Sequence, residues 1–459
     1  MQGGLLRTGE PMEEVPLIRV EPPGPMARSV VARDSKALVQ SYVRWVPLVV
    51  KEAHGAIVED VDGNKYIDLN AGIAVMNVGH SHPKVVEAIK RQAERFQHYS
   101  LTDFYYEEAV TAAEKLIGIS PVDSPSVFFA NSGTESIEGS LKFARYFFEG
   151  SRQYFIAFLG AFHGRTYGSL SLTASKAHYR KGFSPLMPGV VHVPYPYPYR
   201  CPFRTDDPLE CGEAVLGYIE DWIFHKLVDP SEVAAFVVEP IQGEGGYVVP
   251  PDNFLPGLRK LADKNGILII DDEVQAGMGR TGRWFAIEHW NVKPDIIALA
   301  KAIGGGLPLG AIVTRGDIAG KLAKGSHANT FGGNPIALAA MSAVIDVIKE
   351  ERLLERASRL GEEALRFLNE LKDKYEIIGD VRGKGLMIGV ELVRDRKTKE
   401  PAARELAQVI EKAFKRGVVV IGSGLSTIRI APPLVIEEEH LFKALNILAD
   451  VIKEVNSSL

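Results

Sequence analysis

Between residues 100 and 320 the chain repeats one rhythm: a short run apolar at consecutive positions, then a longer stretch with helical spacing. The runs are "SVFFAN" (126–131), "YFIAFLGAF" (154–162), "VVHVPYP" (190–196), "AAFVVEP" (234–240), "GILIIDDEV" (266–274), "DIIALAK" (295–301) and "LGAIVTRG" (309–316). Most lack the polar alternation of a half-exposed strand, which is how strands covered on both faces by helices read. About seven of them in an α/β alternation predict an open, mostly parallel sheet. Upstream, "AIVEDVDGNKYIDLN" (56–70) predicts a hairpin turning at Asp62-Gly63. Residues 1 to about 30, rich in Pro and Gly, predict an extended arm. Downstream, Asn334 and Pro335 open a long helix as cap and first-turn residue. From about 345 the order becomes helix, strand pair, helix, strand pair, helix, ending in the amphipathic "IEEEHLFKALNILADVIKEV". The expected organisation is therefore an arm and hairpin over 1–75, a large α/β domain over 76–345 and a C-terminal segment over 346–459. The first and last of these form a smaller α+β domain.

Composition changes this picture little. With 459 residues, 46% hydrophobic and 24% charged, the chain reads as an ordinary globular protein able to bury a large core. A net charge of −5 without a basic block argues against nucleic acid or an anionic membrane as the main partner. No apolar run reaches membrane-spanning length, and the N-terminal residues lack the charged start and apolar core of a signal peptide. Two cysteines in so long a chain point to a reducing, cytoplasmic setting, with Cys201 and Cys211 as free loop thiols. Two cysteines alone make no zinc set, and no metal is expected. The ladder "PYPYPYRCP" (194–202) predicts extended polyproline-like surface without chemistry of its own.

Candidate chemistry collects where ligands of open α/β sheets bind, at the carboxyl ends of the strands. Asn131-Ser132-Gly133-Thr134-Glu135 ends the first run and Phe162-His163-Gly164-Arg165 the second. Glu239 ends the fourth, Asp271-Asp272-Glu273 the fifth and Lys301 the sixth. Five polar sets at equivalent ends point to one site. A lysine closing an apolar strand would ordinarily reach out to solvent. The three glycines of "LAKAIGGGLPLGA" instead let backbone approach something flat or large beside it, and a neutralised lysine amine there suggests a Schiff base. "NSGTE" closes a strand with small residues and opens a helix near Thr134, a place where backbone N–H groups bind phosphate.

The stretch "IIDDEVQAGMGRTG" (269–282) contains a G-x-G-x-x-G and an acidic strand end. No G-x-x-x-x-G-K-[ST] accompanies it, so a nucleoside triphosphatase lacks its phosphate loop. Only one or two helical turns fit between Gly282 and Pro294, so a dinucleotide fingerprint lacks its crossover helix. What remains is a carboxylate beneath a cofactor whose ring nitrogen must stay protonated, as in pyridoxal phosphate enzymes.

On these residues the chain resembles the class III (ω-amino acid) aminotransferases of pyridoxal 5′-phosphate fold type I, over roughly residues 40 to 455. It is closest in pattern to the 4-aminobutyrate and ornithine aminotransferases. The carrying motifs are "GIAVMNVGHSHP", "NSGTE", "AFHGRT", "EPIQGEGG", "DDEVQAGMGRTG", "LAKAIGGGLPLGA", "TFGGNP" and "IRIAPPL", in that order. The resemblance implies that Lys301 holds the cofactor as a Schiff base and then shuttles the Cα proton. It implies that Asp272, with Asp271 as the rival, keeps the pyridine nitrogen protonated. Val274 and Phe162 would flank the ring, Gln275 would lie near its hydroxyl, and Ser132, Gly133 and Thr134 would hold the phosphate. His163 and Glu239 are counted with this cofactor-binding set. Thr330 would reach the phosphate of a neighbouring subunit's cofactor, which requires a homodimer with shared sites.

For substrates, the resemblance implies that Arg165 binds a distal carboxylate and Arg429 an α-carboxylate, with Glu244 covering Arg429 when the donor has none. Ile73 stands where ornithine enzymes of the family carry a tyrosine, which fits the 4-aminobutyrate type. The expected reaction is ping-pong transfer of an amino group from an ω-amino or amino acid to 2-oxoglutarate. Racemases and epimerases of the same family are the rival, since they need Cα protonated from both faces and the sequence shows only Lys301. A non-catalytic binding protein is disfavoured by the presence of both Lys301 and Asp272.

Overall fold

The computed structural model describes residues 14–457. Each predicted run forms a strand. After β1 (Val50–His54), β2 (Ile57–Asp60) and β3 (Lys65–Asp68) come β4 (Pro125–Ala130), β5 (Tyr154–Phe158), β6 (Val190–Val193), β7 (Val233–Val238), β8 (Leu268–Asp272), β9 (Ile296–Leu299) and β10 (Gly310–Arg315). The last seven form one sheet in the order β4-β10-β9-β8-β7-β5-β6. β5 to β9 and β6 pair in parallel, while β10 runs antiparallel to both β4 and β9.

Every residue of β7, β8 and β9 is buried, so the continuous apolar runs follow from a sheet covered on both faces. Ala235, Val237, Leu268 and Ile270 pack with Ile137, Leu141 and Ala144 of the helix Gly133–Phe147. Phe236, Val238 and Ile269 face a second core that includes Val344 and Ile348 of the helix Pro335–Glu350. Asn334 caps that helix, accepting from Ile336 N–H at 3.1 Å.

The C-terminal segment adds β11 (Ile378–Lys384), β12 (Met387–Asp395), β13 (Glu400–Pro401), β14 (Val418–Val419), β15 (Ile421–Ser423) and β16 (Thr427–Ile430). β11, β12, β16 and β15 form a sheet with β13 beside β12, while β14 joins the N-terminal hairpin by pairing in parallel with β3. The two ends of the chain thus share a sheet. No described helix is long and apolar enough to cross a membrane.

Three expectations need correction. Of the extended arm predicted over residues 1 to about 30, residues 1–13 lie outside the described residues, and Pro25–Ala37 is a helix rather than extended chain. Pro25 suits its first turn, and the hairpin turn supplies a cap from afar: the Asp62 carboxylate accepts from Met26 N–H at 2.9 Å and Ala27 N–H at 2.8 Å. A Cβ at Gly24 would collide with that carboxylate. Second, Cys201 and Cys211 are not free thiols: they form a disulfide, with Cα atoms 6.0 Å apart. The helix Pro208–Gly217, capped by Asp207, turns the chain back so that the two cysteines meet. The cysteine count therefore no longer bears on compartment. Third, the Tyr/Pro ladder is not surface. Tyr195 is buried and donates to the Glu239 carbonyl at 3.1 Å, while Tyr197 donates to the Glu391 carboxylate on β12, which also pairs with Arg200. The tyrosines bury their rings and aim their hydroxyls at acceptors.

Candidate active site

The carboxyl ends of the parallel strands surround a cavity of about 520 Å³, the size of a small-molecule site. Ser132, Gly133, Thr134, Phe162, His163, Arg165, Glu239, Asp272, Val274, Gln275 and Lys301 all line it. These residues are brought together from strand ends far apart in sequence.

Strand alternation decides between the two aspartates. Asp272 follows Leu268 and Ile270 on the face of the helix Gly133–Phe147 and lines the cavity. Asp271 follows Ile269 to the other face, fully buried, with no hydrogen-bond partner for either oxygen among the described residues. Burial, and then Glu273 two residues on, push the Asp271 carboxyl well above the usual range. Glu273 is itself pushed up to about 8, mainly by burial. Asp271 and Glu273 are thus a buried acid pair beside the site rather than in it.

Asp272 is held from two directions. Its Oδ1 accepts from Val274 N–H at 3.0 Å, and its Oδ2 accepts from His163 Nδ1 at 2.7 Å. Burial alone would lower the His163 pKa, but the bond to Asp272 outweighs it and the net shift is upward. Glu239 completes this floor, accepting from Phe162 N–H and Gly243 N–H, each at 3.0 Å. Burial pushes it up to about 7.

Lys301 follows β9 with φ of +50°, in the left-handed region. Asp272 pairs in register with Ala298, which sets Lys301 and Asp272 at the same end of adjacent strands. Burial lowers the lysine pKa, against an upward pull from Glu244. The amine is thereby more available as a free base than an exposed lysine would be.

At the anion-facing wall, Ser132 caps the helix Gly133–Phe147, accepting from Glu135 N–H at 3.3 Å. Thr134 Oγ1 lies 2.6 Å from Thr166 Oγ1 and 2.5 Å from Ser169 Oγ. A Cβ at Gly133 would sit 3.0 Å from Val274 Cγ1, so a side chain there would press on the cavity wall. A helix N-terminus suited to phosphate, a lysine amine of lowered pKa and a fixed carboxylate thus share one cavity, and this set fits a flat anionic aldehyde cofactor.

Arg429, on β16, is 1% exposed and donates to Glu244 Oε1 at 2.6 Å and to the Gly422 carbonyl at 3.2 Å. Its other nitrogen lies 3.5 Å from Gln275 Oε1, which ties the pair to the cavity wall. Burial would raise the Glu244 pKa, but Arg429 outweighs it and the net shift is down.

Glu244 and Arg429 thus meet the cavity only through Gln275, and two further predicted residues do not join its wall. Thr330 is exposed and does not line this cavity. Ile73 is 40% exposed, within a left-handed turn in which Ala71, Gly72, Ile73 and Ala74 all have positive φ. Only Gly72 hinted at that turn in the sequence. Lys176 and Tyr179, which the sequence did not mark, lie beside the cavity without lining it: the Tyr179 ring meets Phe162 at 5.9 Å, with the Arg165 guanidinium 4.1 Å and the Lys176 ammonium 5.8 Å from its centroid. They lie beyond the strand ends, in a segment with no apolar rhythm to mark it.

The fold and this lysine–aspartate cavity define a pyridoxal-phosphate enzyme of fold type I. The sequence profile described as Aminotransferase class-III matches residues 39–452, and the chain belongs to that family. It is 42% identical to an alanine/serine racemase of Pyrococcus horikoshii over 96% of this chain and 93% of that protein. It is 45% identical to an acetylornithine aminotransferase of Methanopyrus kandleri over 90% of this chain and 96% of that protein. A transaminase from the marine bacterium Virgibacillus superposes with a TM-score of 0.87 at 30% identity, covering 94% of this chain and all of that one.

Proposed function

We propose that the protein is an aminotransferase that moves an amino group from an ω-amino or amino acid, of the 4-aminobutyrate or ornithine type, to 2-oxoglutarate. The observation that carries this reading is the pair of half-buried Glu244 and buried Arg429 at 2.6 Å, which meets the cavity at Gln275, while Arg165 lines that cavity. An enzyme that alternates between substrates with and without an α-carboxylate needs a cation that can be covered and uncovered. Arg429 supplies the cation, and Glu244 covers it.

The bound cofactor supplies an electron sink for charge left on the substrate carbon. Lys301 would hold it and then take and return the proton at the substrate Cα, work suited to an amine of lowered pKa. Asp272 would fix the cofactor's ring nitrogen, and His163 positions Asp272 through the 2.7 Å bond. Ser132, Gly133 and Thr134 would hold its phosphate at the helix start. Phe162 and Val274 would flank its ring, with Gln275 near its hydroxyl. Exposed Thr330 would serve a neighbouring subunit's site, which makes the working form a homodimer, placed in the cytoplasm. The division into a large domain over 76–345 and a smaller one from both ends is supported by the β3–β14 pairing.

Racemisation is the second reading, favoured by the likeness to the alanine/serine racemase. One incubation separates the two. Aminotransfer predicts that a donor panel yields glutamate only when 2-oxoglutarate is present. D-isomer formed from L-amino acids without any oxo acid would instead establish racemisation.

A further inference from the structure

Glu244 sits in a loop closed by backbone pairing between Gln242 and Val248, at 3.1 and 3.0 Å in the two directions. The loop leaves the large sheet after β7, yet the C-terminal segment holds it. Gly424, between β15 and β16, donates its N–H to the Glu244 carbonyl at 2.9 Å. Arg382, on β11, donates through Nε to the Gly246 and Tyr247 carbonyls, each at 3.1 Å. Its Nη2 donates to Gly246 again and to Thr427 Oγ1 at 3.3 Å. The approach is close: a Cβ at Gly246, where φ is +123°, would lie 3.2 Å from Arg382 Nη2. Tyr247 has φ of +52°, a left-handed conformation that persists in a tyrosine where the surroundings impose it.

Arg382 is itself fixed. Its side chain is 9% exposed and pairs with Asp380 at 2.9 Å and Glu391 at 2.8 Å. Its guanidinium lies 4.9 Å from the centroid of the Tyr197 ring, and the Tyr197 hydroxyl donates to the same Glu391. The Tyr/Pro ladder thus ends on the arginine that grips the loop. Two anions balance the charge of Arg382, so its fork of donors acts on the loop through shape and direction. Glu244 reaches Arg429 at 2.6 Å from a backbone fastened at its own carbonyl and again two residues on. A loop with free carbonyls would let that carboxylate drift from the buried guanidinium.

We propose, resting on the reading of Glu244 as a gate, that Arg382 is the positioning residue of that gate. Its grip on the Gly246 and Tyr247 carbonyls fixes the backbone, so that the gate opens by rotation of the Glu244 side chain alone.

Arg382→Lys tests this, because it keeps a cation for Asp380 and Glu391 but loses the planar fork on the two carbonyls. Holoenzyme kinetics with glutamate and 4-aminobutyrate give the ratio of kcat/KM for the two donors. Arg382→Lys is expected to raise that ratio toward glutamate about tenfold, the worth of one charged hydrogen bond. Because Arg382 acts through Glu244, the same change in a Glu244→Gln background should add less than about twofold. Arg259→Lys removes a comparable fork from Asp295 and the Ile267 carbonyl, at the amino ends of the strands, and should leave the ratio unchanged. Amide exchange over residues 242–248, followed by mass spectrometry, should quicken about tenfold in Arg382→Lys and stay as it is in Arg259→Lys. Should Arg382→Lys not fold, Tyr197→Phe takes its place, with a rise in the ratio of about threefold expected and no rise counting against the proposal. Four results would overturn it: a ratio unchanged or lowered by Arg382→Lys, additive shifts in the double variant, the same shift in Arg259→Lys, or unaltered exchange over 242–248. The exchange measurement needs no turnover. If no donor forms glutamate from 2-oxoglutarate while exchange quickens as stated, the aminotransferase reading fails and Arg382 keeps its hold on the Glu244 loop.

Discussion

Replacing Glu244 by Gln removes the charge that covers Arg429 while keeping the shape of the side chain. In the native protein Arg429 donates to Glu244 at 2.6 Å. Its remaining acceptors are the Gly422 carbonyl at 3.2 Å and Gln275 at 3.5 Å. The arginine is almost wholly buried, so water cannot take the place of the lost carboxylate. A hydrogen bond to a charged group contributes about 1.5–3 kcal/mol, and a substrate α-carboxylate must displace that bond to reach Arg429. In the Gln variant the displacement costs less, and the uncovered cation gains more from a carboxylate. We predict that kcat/KM for donors with an α-carboxylate rises, or falls less, relative to 4-aminobutyrate, by about 10–100-fold in the ratio. Steady-state rates for glutamate and 4-aminobutyrate, with acceptors held fixed, measure that ratio. An equal fall for both donors would refute the reasoning, since it would make Glu244 a structural partner of Arg429 rather than a gate. A fall for glutamate alone would reverse the assigned roles.

Further outcomes follow from the same structure. Glu273, pushed up to about 8 from 4.5, favours the fold below its unfolded pKa and loses that contribution as pH rises through 8. The Glu273→Gln variant should therefore lack part of the decline in denaturation midpoint between pH 4.5 and 8, bounded at about 5 kcal/mol by the size of the shift. Identical pH slopes in the two proteins would show that the acid pair does not carry it. The disulfide closes a sequence separation of 10 residues, for which chain entropy gives about 2–3 kcal/mol. Reduction, or Cys201→Ser, should lower the melting temperature, and two free thiols titrating in the unreduced, unfolded protein would contradict the pairing.

Much of this was legible because burial on both faces leaves a plain mark. A strand such as β7, buried at all six positions, has no room for a polar residue until its end, so Glu239 stood out where the apolar run stopped. The same logic exposed Asp272 and Lys301. Contacts that need the chain to return from afar left no such mark. Asp62 capping a helix 35 residues away, Tyr197 reaching Glu391, and Cys211 brought back by its helix are settled by tertiary placement. Lys176 belongs to this group, since a lysine in a segment without rhythm reads as solvated until its neighbours are known. The choice of Asp272 over Asp271 rested in the sequence on the resemblance. The structure gives it a physical cause in the alternation of β8.

The central claim is that Lys301, and no other amine, captures the cofactor in the cavity beside Asp272. Reduction of the pyridoxal-phosphate-loaded protein with borohydride, followed by proteolysis and mass spectrometry, tests this directly. One modified peptide is expected, with the reduced cofactor on Lys301 and the label absent in Lys301→Ala. A label on Lys176 or scattered over surface lysines, or no stable label at all, would contradict it.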